Sequence, residues 1–217
     1  MRRVSMNYIV SIANGVTITS SMVCMSYLYR SRARGTSQRS LLLSASIIGV
    51  TFLVTCLQFV FPEILSLFRR DLAELRAGEW WRMVTPLFVQ PYGWIQCVFN
   101  GAFLLVFLPL AEMLFGYRML ALYFVPGVAG QAVNYVWRPD GGGASTAIFG
   151  VMGALLIYVC RRRNEMPQQY FIFALLGLCG AVAMSFVRDG HGPSLLVGAL
   201  SAVALRMPPH QTSNECD

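Results

Sequence analysis

An all-α, polytopic membrane helical bundle is the fold class this sequence predicts, with a six-helix core and an extra N-terminal helix. Three observations carry the prediction. Hydrophobic residues make up 56% of the 217-residue chain and charged residues only 12%, with a mean hydropathy of +0.56. A soluble domain of this length would carry far more surface charge. The apolar residues also fall in long uncharged runs, most of them near the roughly 20 residues a helix needs to cross hydrocarbon. Finally, all 17 basic residues are arginines, clustered between those runs. Backbone amides in lipid must be satisfied internally, so such runs are read as helices.

The elements follow in order. Val4 to Tyr29 is uncharged but diluted with Ser, Thr, Asn and Gly. It reads as an extra membrane helix. A basic, serine-rich, acid-free start also has the character of an organelle targeting sequence, and both readings stand for residues 1–40. Arg30 to Arg39 reads as an exposed basic loop. Residues 41–206 form the six-helix membrane domain, with helices predicted at 41–61, 94–115, 119–137, 144–160, 168–187 and 191–206. A long connection over 62–93 carries Trp80, Trp81 and Arg82, residues typical of a membrane interface. Residues 207–217 are a polar tail.

Counting helices places Arg30–Arg39, Arg118, Arg161–Arg163 and Arg206 on one side, which the short loops mark as cytoplasmic or matrix-like. Gln96, Asn100, Ser145 and His191 then gather near the opposite face. The sequence leaves the organelle open, the mitochondrial inner membrane among the candidates, and leaves the oligomeric state open.

The function classes narrow accordingly. No basic stripe with interleaved aromatics appears, which argues against nucleic acid as a partner. The six cysteines are scattered without a CxxC pair, so no metal site or disulfide framework is indicated. A transporter would call for paired intramembrane charges or an internal repeat, and neither is found.

"GGGASTAIFG", residues 141–150, opens the fourth core helix with a glycine run and a serine. Small residues recur every four positions in the late helices: Gly150 and Ala154, then Gly177, Ala181 and Ser185, then Ser194, Gly198 and Ala202. Such stripes permit close helix approach. His191 starts the sixth helix, and close packing of the fourth against the sixth would bring it to Ser145. Serine is a weak nucleophile until a neighbouring base takes its proton. Gln96 and Asn100, four apart, present both amides on one helix face. The Ser145 N–H lies at a helix start, where amides are unpaired. These are donors for an oxyanion.

Together these residues resemble the rhomboid intramembrane serine proteases. "GASTAIFGVMG" is similar to the family's Gly-x-Ser motif, with Gly143, nucleophile Ser145, and Phe149 where an aromatic commonly packs on the histidine. "HGPSLLVG" resembles the histidine helix, with Gly198 seven residues after His191. "WWR", including Trp81 and Arg82, looks like the tryptophan–arginine motif of the first long loop. Asn100, Glu112 and Gly116 match the second-helix pattern. The resemblance implies an endopeptidase that cleaves transmembrane protein substrates within the lipid bilayer by a Ser145–His191 dyad, with Asn100 and Gln96 at the oxyanion and no metal or organic cofactor. The sequence compels no acidic third member. The departures are Gln96 and Gln90 where the family commonly has histidines, Ser194 where glycine is usual, and Thr146 where glycine often follows the serine. The altered Gln96 and Gln90 favour the alternative, a catalytically inactive relative that binds membrane clients, and the intact dyad speaks against it.

Overall fold

The computed structural model describes residues 2–32 and 41–205; most of the predicted basic loop and the polar tail lie outside the described residues. Nine α-helices are described, in the order α1 (Arg2–Arg32), α2 (Leu42–Val60), α3 (Pro62–Phe68), α4 (Leu72–Arg76), α5 (Gly93–Phe115), α6 (Met119–Trp137), α7 (Ser145–Arg161), α8 (Gln168–Phe186) and α9 (His191–Ala204). Four apolar segments reach membrane-crossing length: Tyr8–Ser31, Leu42–Val60, Gln168–Phe186, and Gly93–Trp137, which contains both α5 and α6. The apolar helices α7 and α9 are shorter.

The long 62–93 connection is built from α3, α4 and two 3₁₀ turns. Local chemistry explains both helices. Pro62 starts α3, where its missing N–H and fixed φ suit the first turn. Asp71 caps α4 by accepting from the N–H groups of Ala73 (3.0 Å) and Glu74 (3.4 Å).

At the centre of the bundle is α7, buried on nearly every side from Thr146 to Val159. A helix apolar all round belongs in such a position. It meets α9 backbone to backbone: a Cβ added at Gly198 would overlap the Gly150 carbonyl, and one at Gly153 would overlap the Leu195 carbonyl. On its other side Gly150 receives Pro126 of α6. Hydrocarbon is as apolar as the side chains, so van der Waals packing of small residues holds such helices together. Ser194 is fully buried opposite Gly130 of α6, whose lack of a side chain makes room for the hydroxyl. The extra atoms at position 194 are accommodated in this way.

Helix α1 runs antiparallel to α8. Thr17 and Ala13 pack on Gly180, and the Tyr27 ring lies 4.3 Å from that of Tyr170 near the start of α8. Arg30 therefore shares an end of the bundle with Arg161–Arg163. Of the predicted stripe on α8, Gly177 faces Leu156 and Ser20, while Ala181 and Ser185 meet Gly192 of α9.

Glu112 lies beneath the start of α2. It accepts from the backbone N–H groups of Leu43 (3.0 Å) and Ser44 (2.7 Å) and from the Ser44 hydroxyl (2.6 Å). A buried carboxylate at a helix N-terminus is favoured by the unpaired amides there. Large apolar side chains such as Phe52, Leu53, Val98, Phe99 and Leu105 point outward from α2 and α5, as a surface in contact with lipid requires.

Candidate active site

The nucleophile loop is shaped from below and above. Gly141 pairs with Arg70 in an antiparallel bridge, with Arg70 N–H to Gly141 carbonyl at 2.7 Å and the return bond at 3.2 Å. The buried Arg70 guanidinium also donates to the carbonyls of Arg138 (2.9 Å) and Asp140 (3.0 Å) and to the Gln131 side chain. Gln131 in turn donates to the Thr146 hydroxyl at 3.1 Å. Thr146, a departure from the resembled motif, is thereby a hydrogen-bonding partner of α6. Gly143 has φ +129, and a Cβ there would overlap the Gln96 amide. Only glycine serves at that position.

Ser145 is the first residue of α7 and His191 the first of α9. The close crossing at Gly150 and Gly198 brings His191 Nε2 to 2.9 Å from Ser145 Oγ. Phe149 packs its ring 4.6 Å from the imidazole, tilted by 37°. Across the loop, Gln96 Nε2 donates to the Gly142 carbonyl at 2.9 Å and Gln96 Oε1 accepts from the Tyr92 N–H at 3.0 Å. Asn100 Nδ2 donates to Gln90 Oε1 at 2.7 Å. Gln90 is itself clamped by a reciprocal pair with Gln58, at 3.0 and 2.9 Å. Each primary amide has two N–H donors, so these bonds orient Gln96 and Asn100 while using one donor each.

Two predicted supporting residues stand further out. Arg82, buried, binds Glu79 at 2.5 Å and the carbonyls of Ser66 and Arg69, both at 2.8 Å, so it folds the 62–93 connection on itself. The Trp81 indole donates to the Leu67 carbonyl at 3.3 Å. Neither these two nor Glu112 is brought to the Ser145–His191 pair.

An acidic residue that the sequence does not single out contacts His191. Asp189 Oδ1 lies 2.6 Å from His191 Nδ1 and accepts the His191 backbone N–H at 3.0 Å. Its other oxygen accepts from Asn14 Nδ2 of α1 at 3.1 Å. Burial pushes the Asp189 carboxyl up, but hydrogen bonds from the His191 ring and backbone, the His191 charge and the Asn14 amide outweigh it and hold the group below the usual carboxylate range. The one local signal for this contact is the Asp–Gly–His run, since an Asp two residues before a helix start commonly accepts from the backbone there.

A rhomboid domain matches residues 77–208. YdcA of Bacillus subtilis (strain 168), provisionally named a rhomboid protease, is 35% identical over 116 residues, covering 52% of this chain and 58% of YdcA. The rhomboid protease GluP of the same organism is 33% identical over 139 residues, covering 60% of this chain and 27% of GluP. The chain thus spans under two thirds of the length of either relative. It belongs to the rhomboid family and is a multi-pass integral membrane protein.

The amide contacts lead to a prediction. Removing one oxyanion donor typically costs about 100- to 1000-fold in kcat. If Gln96, Asn100 and the Ser145 N–H serve an oxyanion in peptide hydrolysis, Gln96→Ala should cost less, roughly tenfold to a hundredfold with little change in KM, because the other two donors remain. Asn100→Ala should cost at least as much, since Asn100 is held by a clamped partner. Steady-state cleavage in liposomes, with a thermal melt as fold check, reads both. Parental rates in Gln96→Ala would make Gln96 a structural amide.

Proposed function

We propose that this protein is an intramembrane serine endopeptidase that hydrolyses peptide bonds in the transmembrane segments of other membrane proteins, with residues 41–206 as its catalytic domain. The observation that carries the reading is the 2.9 Å approach of His191 Nε2 to Ser145 Oγ at the adjoining starts of two closely packed helices. A serine and a histidine so placed fit nucleophile and general base. Ser145 Oγ attacks the scissile carbonyl carbon while His191 takes its proton. The Ser145 N–H and the second N–H donors of Asn100 and Gln96 stabilise the oxyanion. Collapse expels the amine, which receives the proton from His191 and leaves an ester on Ser145. Water, deprotonated by His191, attacks that ester, and as the carboxylic acid is released His191 returns the proton to Ser145 Oγ.

A second reading, an inactive relative that binds membrane clients, is supported by the engagement of both amides with neighbouring carbonyl oxygens. Labelling by a fluorophosphonate separates the two. The protease should be labelled in membranes, and Ser145→Ala should not. An unlabelled parent protein would favour the client-binding reading.

A further inference from the structure

We propose that Asp189 is a positioning residue for His191 and that Asn14, on the N-terminal helix, holds Asp189 in that role. The proposal rests on the protease reading for its kinetic consequence, and on three structural observations for its substance.

The first is the continuous chain of contacts from α1 to the nucleophile: Asn14 Nδ2 to Asp189 Oδ2 at 3.1 Å, Asp189 Oδ1 to His191 Nδ1 at 2.6 Å, and His191 Nε2 to Ser145 Oγ at 2.9 Å. A carboxylate accepts and does not donate. Facing Nδ1, it selects the neutral ring that carries its proton there and leaves the Nε2 lone pair toward Ser145. The second is burial. The Asp189 side chain is 5% exposed and that of His191 28%, so water competes little for the carboxylate. The Asn14 amide is held as well, donating to the Val10 carbonyl at 3.0 Å.

The third is the backbone. The Asp189 N–H binds the Met184 carbonyl (2.9 Å) and the Arg188 N–H binds that of Ser185 (3.2 Å). This pair of bonds is the helix-ending arrangement that usually puts glycine in the left-handed position. Here Arg188 occupies it, at φ 58. A non-glycine residue in that region is held by its surroundings and often marks a functional turn. The turn directs Asp189 back under the imidazole. Asn14 lies outside the residues 77–208 matched by the rhomboid domain, so α1 adds to the site something the matched region does not contain.

The test uses the 217-residue chain in liposomes. Asp189→Asn keeps the shape but exchanges one carboxylate oxygen for an NH₂ group, which faces His191 Nδ1 when the remaining oxygen accepts from Asn14. Asn14→Leu removes the bond from α1. The chain has only two histidines, so ¹⁵N-histidine labelling resolves the His191 ring, assigned by comparison with His191→Gln. In the parent, the neutral ring should be protonated on Nδ1. In Asp189→Asn the proton should shift toward Nε2, and kcat should fall about tenfold to a thousandfold with KM within about twofold, below the roughly 10⁴ seen where a fully buried carboxylate is so replaced. Asn14→Leu should lower kcat about threefold to tenfold, in the same direction. Asp189→Asn with parental kcat and an unmoved Nδ1 proton would overturn the role of Asp189. Asn14→Leu with both readouts parental would overturn the role of α1. The tautomer is read without turnover, so a parent that fails to cleave removes the protease reading and leaves the positioning of His191 to be decided by the spectrum.

Discussion

Cleavage of a reconstituted transmembrane substrate should fall by about 10⁴-fold or more in Ser145→Ala and in His191→Ala, and the double variant should be no slower than either single. The expectation follows from the shared proton: with Oγ and Nε2 in direct hydrogen-bond contact, removing either group leaves the other without a reaction to serve. Independent contributions would multiply instead. Both variants should insert and melt close to the parent, because Ser145 and His191 are each partly exposed. The measurement is product formation with purified protein in liposomes. Robust turnover by Ser145→Ala would remove this serine from the chemistry.

Gly198→Leu should reduce activity about a hundredfold and also lower the melting temperature. The helix crossing that joins the pair has no space at this point, since even a Cβ at Gly198 would overlap the Gly150 backbone. A backbone obstruction cannot rotate away as a side chain can, so α9 must shift. A displacement of about 1 Å at the reacting atoms can cost roughly a hundredfold in rate, and overpacking typically costs about 1–3 kcal/mol of stability. Gly198→Ala should fall in the same direction with a smaller loss. A thermal melt read beside the cleavage assay checks both effects. Parental activity in the leucine variant would mean that the crossing does not set the Ser145–His191 distance.

The helical framework was legible because uncharged runs flanked by arginines mark where chain can enter hydrocarbon. The predicted 41–61, 119–137 and 144–160 correspond to Leu42–Val60, Met119–Trp137 and Ser145–Arg161. The Ser145–His191 proximity was legible through small residues spaced to let two helices touch. The polar support was not. Arg70, Gln131 and Thr146 form one network from a loop and two helices, and no periodicity links such positions. Gln58 and Gln90 pair across 32 residues, and Asn14 and Asp189 across 175. Single amides in apolar helices announce that a partner exists without saying where. Asp189 was hidden for another reason: beside Arg188, in a short loop, it reads as ordinary solvated charge.

The two helices that carry Ser145 and His191 have 17 and 14 residues, about 26 and 21 Å at 1.5 Å per residue. Hydrocarbon is about 30 Å thick. At the arginine side α7 ends on Arg161, and past the end of α9 the Leu205 carbonyl accepts from Arg118 at 3.0 Å. Fixed at that level, both are shorter than the hydrocarbon, and the start of α7 lies against the 62–93 connection, whose Arg70 and Pro86 bond to Gly141 and Gly143. The proposed hydrolysis is therefore vectorial. The water it consumes and the protons it exchanges come from one aqueous compartment, and the far compartment is sealed off by the full length of α7.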